Sequence, residues 1–303
     1  MSENIIISKI EIDNTYNIVF LSIKEFPGLE DLIKIVQGMI VANKDKYTTM
    51  STKCESQGGF IDGMINVDWY KYYKTVYLVL CVPKIPGENV TGNEVFTRDN
   101  IHLLSNEILQ HFFHNSISYA FLCSHNDGIF DIWDVCVDEV ARTVPGTPSH
   151  KAGTRMAKGC LNFVDLLIRL YIPETRGNFN PVGISYSGNR YNDIILPVTV
   201  ELFARKDNIA AIKAYINAGF NDNIEEPEYV SNMPWLLRLG FKELSPGLEY
   251  VYLYYTFQYS LTPNRISDTE IKYVLGDKII KDDYRIDKDT LNTMKEDFIR
   301  KIK

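Results

Sequence analysis

The sequence is poor in cysteine, and no two cysteines stand in a Cys-x-x-Cys spacing. Five cysteines occur in 303 residues, an odd number, and most of them lie within apolar runs. Neither a structural zinc site nor a disulfide framework is therefore expected. The cysteines are predicted to be reduced core residues, and they are Cys54, Cys81, Cys123, Cys136 and Cys160.

Long apolar runs and a basic leader are also missing. No stretch approaches the ~18 uninterrupted apolar residues that a transmembrane helix needs. The first residues, MSENIIISKIEID, contain an early acid and lack a basic start followed by a long apolar run, so a signal peptide is not expected. The sequence thus predicts a soluble, cytoplasmic protein that does not bind a membrane.

Positive charge is in deficit. The 32 Lys and Arg residues face 39 Asp and Glu residues, which gives a formal net charge of -7. Because binding to nucleic acid phosphates calls for a basic face, direct nucleic acid binding is not expected. An acidic surface suits a cationic ligand slightly better.

Two common catalytic signatures are absent as well. The five histidines show no His-Glu-x-x-His or other paired-ligand spacing, so no metal site is predicted. No Gly-x-Ser-x-Gly segment occurs, and a serine hydrolase is therefore not supported. The remaining composition, 45% hydrophobic and 23% charged, is that of an ordinary globular protein.

The first part of the chain alternates between strand-like and helix-like segments. Residues 5–11 and 17–23 are rich in Ile, Val and Phe and predict short strands. Residues 27–47 repeat apolar positions at helical spacing and predict one amphipathic helix. A buried strand is predicted at residues 75–83, and a second helix with capping residues at its start is predicted at residues 97–115.

The clearest hairpin lies at residues 116–139, SISYAFLCSHNDGIFDIWDVCVDE, in which two apolar runs flank a turn-forming segment. A long helix is predicted at residues 150–171, and a strand followed by a helix at residues 201–220. An aromatic strand follows at residues 249–261, whereas residues 173–193 form a loop longer than compact domains usually contain. This order predicts a mixed α/β fold with a central sheet flanked by helices.

We divide the chain into three regions. Residues 1–95 supply either the first strands and helix of the main fold or a small extra domain. Residues 96–262 form the core, and residues 263–303 form a charged tail with an amphipathic helix. The length of the chain allows one large domain or two modest ones.

Acids stand in the second strand of the predicted hairpin, at Asp131, Asp134 and Asp138. Because acids are depleted in strands, at least one of them should face solvent, a partner or a cleft. At the edge of a cleft, Asp131 or Asp134 would accept a proton from an amine as a general base. The alternative is that each acid is an exposed strand residue.

The segment HKAGTRMA opens the predicted long helix with one glycine among three basic residues. Gly153 would let a ligand approach the backbone N–H groups of the helix start, where the macrodipole favours an anion. His150, Lys151 and Arg155 flank this glycine, and cations there would otherwise oppose the dipole. The segment is therefore a candidate phosphate site, with a purely structural glycine as the alternative.

Three consecutive motifs resemble those of the Gcn5-related N-acetyltransferase (GNAT) family over roughly residues 115–260. They are DIWDVCV, HKAGTRMAKGCL and LPVTVELFARKDNIAAIKAYINAGF. The last motif matches the family's helix pattern in full, at Asn208, Ala211, Tyr215, Gly219 and Phe220. The resemblance implies a fold in which two central strands diverge around the pantetheine arm of acetyl-CoA.

The resemblance also implies residue roles, with acetyl-CoA as the co-substrate. Tyr215 would protonate the departing thiolate, and Asp131 or Asp134 would deprotonate the amine. The residues that the resemblance assigns to acetyl-CoA are Val135, Cys136, Val137, His150, Lys151, Ala152, Gly153, Thr154, Arg155, Asn208 and Ala211. Residue by residue, Asn208 would also serve as a helix N-cap and Tyr215 as a core aromatic.

The function that follows is transfer of an acetyl group to a primary amine by direct attack. A polyamine, an amino sugar and a lysine or peptide amine remain open as acceptors, and the oligomeric state is open too. The alternative is a family-shaped binding or structural module without catalysis. Two departures from the family's phosphate loop favour that alternative, namely His150 in place of Arg or Gln and Arg155 in place of a small residue.

Overall fold

The computed structural model describes ten stretches of the chain, which are residues 6–23, 30–53, 73–85, 94–97, 99–124, 128–138, 151–171, 194–222, 250–265 and 271–279. The strands within them are β1 Ile7–Glu11, β2 Tyr16–Ser22, β3 Thr75–Pro83, β4 Glu94–Phe96, β5 Ser118–Ser124, β6 Ile129–Val137, β7 Ile194–Arg205, β8 Asn221–Asp222, β9 Tyr250–Arg265 and β10 Ile271–Ile279. The helices are α1 Glu30–Ala42, α2 Lys44–Lys53, α3 Asn106–Asn115, α4 Ala152–Tyr171 and α5 Ile209–Ala218.

All ten strands belong to one sheet. Its order is β10-β9-β7-β6-β5-β3-β2-β1-β4, with β8 pairing to β9 off this path. Every pairing between these strands is antiparallel except the contact of β6 with β7. The mixed α/β class with a central sheet flanked by helices is therefore confirmed.

The two faces of the sheet carry separate apolar cores, because successive side chains of a strand point to opposite faces. Strand β2 shows the division: Ile18 and Phe20 join the core under α4 and α5, whereas Val19 and Leu21 join the core under α1, α2 and α3. We call these cores the α4/α5 face and the α1–α3 face.

Helix α4 lies very close to the sheet at Gly159. A β-carbon at this position would lie 2.6 Å from Cγ1 of Ile18 in β2, so only glycine fits there. Further along α4, the Asp165 carboxylate accepts a hydrogen bond from the Tyr259 hydroxyl of β9. The helix is thus fixed to both halves of the sheet.

Most of the predicted elements are confirmed with small changes of boundary. Strands β5 and β6 form the predicted antiparallel hairpin. They are followed by the long helix α4, the strand and helix β7 and α5, and the aromatic strand β9. Of the five cysteines, four lie in the described stretches and are buried thiols, as predicted, and they are Cys81, Cys123, Cys136 and Cys160.

The single helix predicted at residues 27–47 is wrong, because the described chain forms two helices that separate at Asn43. The Asn43 side chain donates a hydrogen bond from Nδ2 to the Met39 carbonyl at 2.9 Å. Its backbone N–H also bonds to Met39, at 3.1 Å. Asparagine competes in this way with regular helix hydrogen bonds, and the helix ends.

The helix predicted at residues 97–115 begins later than expected, at Asn106. A short 3₁₀ turn at Ile101–Leu103 precedes it. The Ser105 side chain accepts a hydrogen bond from the Ile108 backbone N–H at 3.3 Å and so caps the helix start. The capping residues nearer Thr97 serve the preceding turn instead, since the Asn100 side chain accepts from the Thr97 backbone N–H at 2.6 Å.

Two predicted segments lie outside the described residues. They are the loop at 173–193 and the amphipathic segment of the tail, with Leu291, Met294, Phe298 and Ile302. Within the described part of the chain, no helix has the length and apolar character needed to cross a membrane. The division of the chain at residues 95 and 262 remains a prediction.

Candidate functional site

The parallel contact between β6 and β7 is short and lies in the middle of the sheet. Only three register pairs join the two strands, from Ile129 opposite Thr199 to Asp131 opposite Glu201. Beyond this point β6 continues along β5, and β7 continues along β9. The carboxyl ends of the two parallel strands therefore diverge, which is where open α/β sheets bind ligands.

Strand β6 carries a bulge on its diverging half. Phe121 of β5 lies opposite Trp133, but Tyr119, two residues earlier on β5, lies opposite Cys136, three residues later on β6. One extra residue, at position 134 or 135, is therefore inserted into β6. Bulges of this kind turn the backbone locally and are frequent beside functional sites.

Helix α5 is capped at both ends, and the two caps account for the positions of Asn208 and Gly219 in the helix pattern. The Asn208 side chain accepts a hydrogen bond through Oδ1 from the Ala211 backbone N–H at 3.1 Å. Gly219 ends the helix with φ 108°, a left-handed conformation that favours glycine. Because this cap uses only the carbonyl oxygen of Asn208, it leaves the NH₂ end of the amide to other acceptors.

Tyr215 lies on the buried side of α5, where 7% of its surface is exposed. Its ring meets the Phe220 ring edge to face, with the centroids 6.1 Å apart. Both rings belong to the core of the α4/α5 face. Tyr215 is thus the core aromatic that the sequence allowed.

The first turn of α4 packs against α5 at Gly153. A β-carbon on Gly153 would lie 3.5 Å from the β-carbon of Ala214, so the two helices approach closely here. Lys151, just before the helix, is exposed, whereas Ala152 is buried and Thr154 is half-buried. His150 lies outside the described residues.

Arg155 points toward the turn between β1 and β2. Its Nε donates to Oδ2 of Asp13, and its guanidinium lies 4.6 Å from the centre of the Tyr16 ring. The other oxygen of Asp13 accepts from the backbone N–H groups of Thr15 and Tyr16, each at 2.8 Å. Burial opposes ionisation of Asp13, but the hydrogen bonds and the charge of Arg155 together hold its pKa below the ordinary value.

A row of buried polar side chains crosses the sheet at the point where β6 and β7 separate. Asp131 and Glu201 are register partners and are 4% and 8% exposed. Their strand neighbours belong to the α4/α5 core, so the two carboxylates lie on the α1–α3 face. Burial is the main cause that raises the pKa of Tyr73 well above its ordinary value. The Asp131 carboxylate is the next largest cause, and Glu201 adds to the effect.

Sequence reasoning missed three of these residues. Glu201 stands in the apolar strand segment VTVELFA, so the signal that singled out Asp131 would also have found it. Tyr73 and Asp13 carry no comparable signal. Tyr73 approaches Asp131, and Asp13 meets Arg155, only in the folded protein, because these partners lie far away in the chain.

The structure divides the predicted site residues between the two faces of the sheet. Tyr215, Gly153 and Ala211 lie with α4 and α5, whereas Asp131 lies on the α1–α3 face. Val135, Cys136 and Val137 follow the bulge on β6. Asp134 lies at the bulge, and the described residues include only its backbone.

Comparisons with known proteins add little to this geometry. No family model matches the chain. No curated protein matches it. Among solved structures, the chain is similar to an acetyltransferase of the GNAT family from Staphylococcus aureus Mu50, with 10% sequence identity, 80% of this chain and 98% of that chain covered, and a TM-score of 0.31.

Proposed function

We propose that this chain is an acetyl-CoA-dependent N-acetyltransferase that acts on the primary amine of a small molecule or a peptide. The observation that carries the proposal is the separation of β6 from β7 beyond Asp131 and Glu201, on strands that lead into α4 and α5. Together with the Asn208 to Phe220 helix pattern, this resembles the slot of the GNAT family for a pantetheine arm.

The residues on the α4/α5 face fit an acyl-CoA. Gly153 has no side chain, and a larger residue would fill the space beside Ala214. Lys151 is exposed at the helix start, where a cation suits a diphosphate. The amide NH₂ of Asn208 would donate to a pantetheine carbonyl while its oxygen keeps the cap.

Acetyl-CoA supplies an acetyl group that is activated as a thioester. Alternate backbone N–H groups of β6 after the bulge point away from β5, and among Val135, Cys136 and Val137 these would donate hydrogen bonds to the acetyl oxygen and the pantetheine arm. Donors that are fixed in place before the reaction stabilise negative charge on that oxygen with little reorganisation.

The proton steps divide between the two faces. Asp131, with Glu201 beside it, would attract a cationic amine on the α1–α3 face and take its proton. Tyr215, on the α4/α5 face, would give a proton to the sulfur as the thioester carbon–sulfur bond breaks. Asp134, at the bulge, is the other candidate base.

The competing proposal is a binding module of the same shape without catalysis. Two observations favour it: Asn208 already caps α5, and Arg155, in the position expected to meet the cofactor, is held by Asp13. Such a protein would use its diverging strands to bind a ligand or a partner without transferring a group.

Binding of acetyl-CoA is the first test of the proposed function. A ligand that binds only the native state stabilises it, by about 2.7 kcal/mol at a concentration of 100 Kd. We expect a rise in the midpoint of thermal unfolding at saturating acetyl-CoA. No shift at millimolar acetyl-CoA would contradict the enzyme proposal.

Tyr215→Phe separates the enzyme from the binding module. Loss of a general acid lowers kcat by about 10²-fold or more, whereas the hydroxyl makes a small contribution to binding. We expect kcat to fall and acetyl-CoA binding to stay within about twofold of the wild type. Tyr255→Phe is the matched control, because the Tyr255 ring also meets the Phe220 ring, with the centroids 6.4 Å apart, and packs against the same core. Equal turnover in Tyr215→Phe would remove Tyr215 from the mechanism.

A further inference from the structure

Three side chains connect the β1–β2 turn to the first turn of α4. Asp13 is held by its own turn through the backbone N–H groups of Thr15 and Tyr16. Arg155 reaches across to Asp13 and also covers the Tyr16 ring. The Arg155 side chain is 14% exposed and the Asp13 side chain 35%, so the contact is partly shielded from water. We call Asp13, Tyr16 and Arg155 the turn clamp.

The turn clamp holds α4 from the side opposite α5. Gly153 faces α5, because a β-carbon there would meet Ala214. Arg155 follows two residues later, which is about 200° around a helix of 3.6 residues per turn. Its side chain therefore leaves the helix on the far side from the Gly153 surface. The guanidinium is turned away from the space between α4 and α5.

Asp13 also neutralises a charge that would oppose the helix. A cation in the first turn of a helix is unfavourable beside the positive end of the macrodipole. The Asp13 carboxylate offsets the charge of Arg155 through a direct contact. Among the described residues of this segment, the backbone N–H groups at the start of α4 and Lys151 are then donors for an anion.

We propose that the turn clamp positions the first turn of α4 for the diphosphate of the acyl donor without contacting it. Arg155 is then a positioning residue, and its anchor is Asp13. The inference rests on the proposed function, since it names what holds the donor site in place. It differs from a role in which Arg155 itself binds phosphate and Asp13 competes with the donor for it.

The two roles predict opposite signs for Asp13→Asn. If the clamp positions the helix, Asp13→Asn and Arg155→Met both loosen it and both weaken binding of acetyl-CoA. If Arg155 binds phosphate directly, Asp13→Asn releases the guanidinium and strengthens binding of acetyl-CoA, whereas Arg155→Met weakens it. The direction of one substitution thus separates the roles.

The experiment compares acetyl-CoA with acetyl-pantetheine, which lacks the diphosphate and the nucleotide. For the clamp we expect KM for acetyl-CoA to rise by about tenfold in both variants, with kcat and KM for acetyl-pantetheine unchanged. The double variant should match the single ones, because the two residues act as one unit. Glu11→Gln is the control, since it removes the Lys84 ion pair of the same hairpin.

Two results for the variants overturn the inference. Tighter acetyl-CoA binding in Asp13→Asn would show that Arg155 contacts the phosphate. Lower thermal stability with an unchanged KM for acetyl-CoA would show that the turn clamp has only a structural role. If the wild type binds CoA by calorimetry but transfers no acetyl group, the enzyme proposal fails alone, and Kd for CoA replaces KM in the comparison. If it binds no CoA, both proposals fail.

Discussion

Two helix glycines, Gly159 in α4 and Gly38 in α1, have opposite surroundings. A β-carbon on Gly159 would clash with Ile18, where even the Cβ atom lies 2.9 Å away, whereas a β-carbon on Gly38 would meet no described residue outside its own helix turn within 4 Å. We expect Gly159→Ala to destabilise the fold by about 1–3 kcal/mol through overpacking. Gly38→Ala should stabilise it by about 0.5–1 kcal/mol, because alanine favours the helix.

Urea unfolding of both variants measures these two free energies. Since each substitution adds one methyl group to a helix, the pair isolates the effect of the contact with Ile18. The close approach at Gly159 predicts unequal effects on the free energy of unfolding. Equal effects would show that α4 can move away from β2 and would contradict this prediction.

Asp13 gives the fold a pH dependence of known sign. Its folded pKa lies below the ordinary value of 3.8, chiefly through the hydrogen bond from Arg155 acting against burial. The stabilisation is therefore complete above the unfolded pKa and is lost as the pH falls through the folded pKa. We expect the free energy of unfolding of the wild type to exceed that of Asp13→Asn by a constant amount between about pH 5 and pH 7. The difference should shrink below pH 4 in urea titrations at each pH, and a constant difference down to pH 2 would contradict the ion pair.

Single residues could be predicted from the sequence where their partners are close in the chain. Asn208 bonds to Ala211, three residues on, so its role as an N-cap follows from local pattern. Arg155 meets Asp13, 142 residues away, and no local pattern carries that contact. The same reason hides the approach of Asp131 to Tyr73 and Glu201.

At the scale of elements, the carboxyl end of α3 depends on α2. The Lys46 ammonium donates hydrogen bonds to the carbonyls of Phe113 and His114, at 3.1 and 2.7 Å, and to the Ser116 hydroxyl at 3.1 Å. The Tyr47 hydroxyl also donates to the Phe113 carbonyl, at 3.1 Å. A cation at this end of a helix is favoured by the macrodipole, while burial lowers the pKa of Lys46 to about 8, with Asp138 opposing.

Lys46→Met tests this contact. We expect a loss of about 1–3 kcal/mol of stability near neutral pH, because carbonyls at the end of α3 lose their donor. The folded pKa of about 8 lies below the unfolded value of 10.5, so the unfolded state binds more protons between them. The wild type should therefore gain stability relative to Lys46→Met as the pH rises from about 8 to about 10. Chemical unfolding at several pH values measures the difference, and a flat or falling difference would contradict the lowered pKa.

The sequence predicts the type of most elements because apolar periodicity fixes which face each one buries. It predicts their ends less well, as α1 and α2 show at Asn43 and α3 shows at Asn106. Strand β4 was also not predicted, since three residues contain too little pattern. The bulge in β6 depends on the register with β5, and register is a property of the folded sheet.

At the scale of the molecule, strands from both sides of residue 95 belong to one sheet. β2 pairs with β3 and β3 with β5, so the strands before residue 95 are continuous with the hairpin that begins the core. Each of these strands contributes alternate side chains to both faces. Loss of packing on one face should therefore affect the other through the shared strands.

Phe163→Ala tests whether the two faces unfold together. Phe163 of α4 stacks on Phe20, with the centroids 4.0 Å apart, and meets Tyr77 edge to face at 4.9 Å. Its removal should cost about 3–5 kcal/mol. Trp133 reports on the α1–α3 face, where it packs against that core. Trp69 and Trp235 are replaced by Phe so that the fluorescence comes from Trp133. The unfolding midpoint should then shift equally by fluorescence and by circular dichroism, because the strands that carry Phe20 and Tyr77 also contribute side chains to the α1–α3 face. A Trp133 transition that keeps its midpoint would show that the α1–α3 face and the α4/α5 face unfold as separate units.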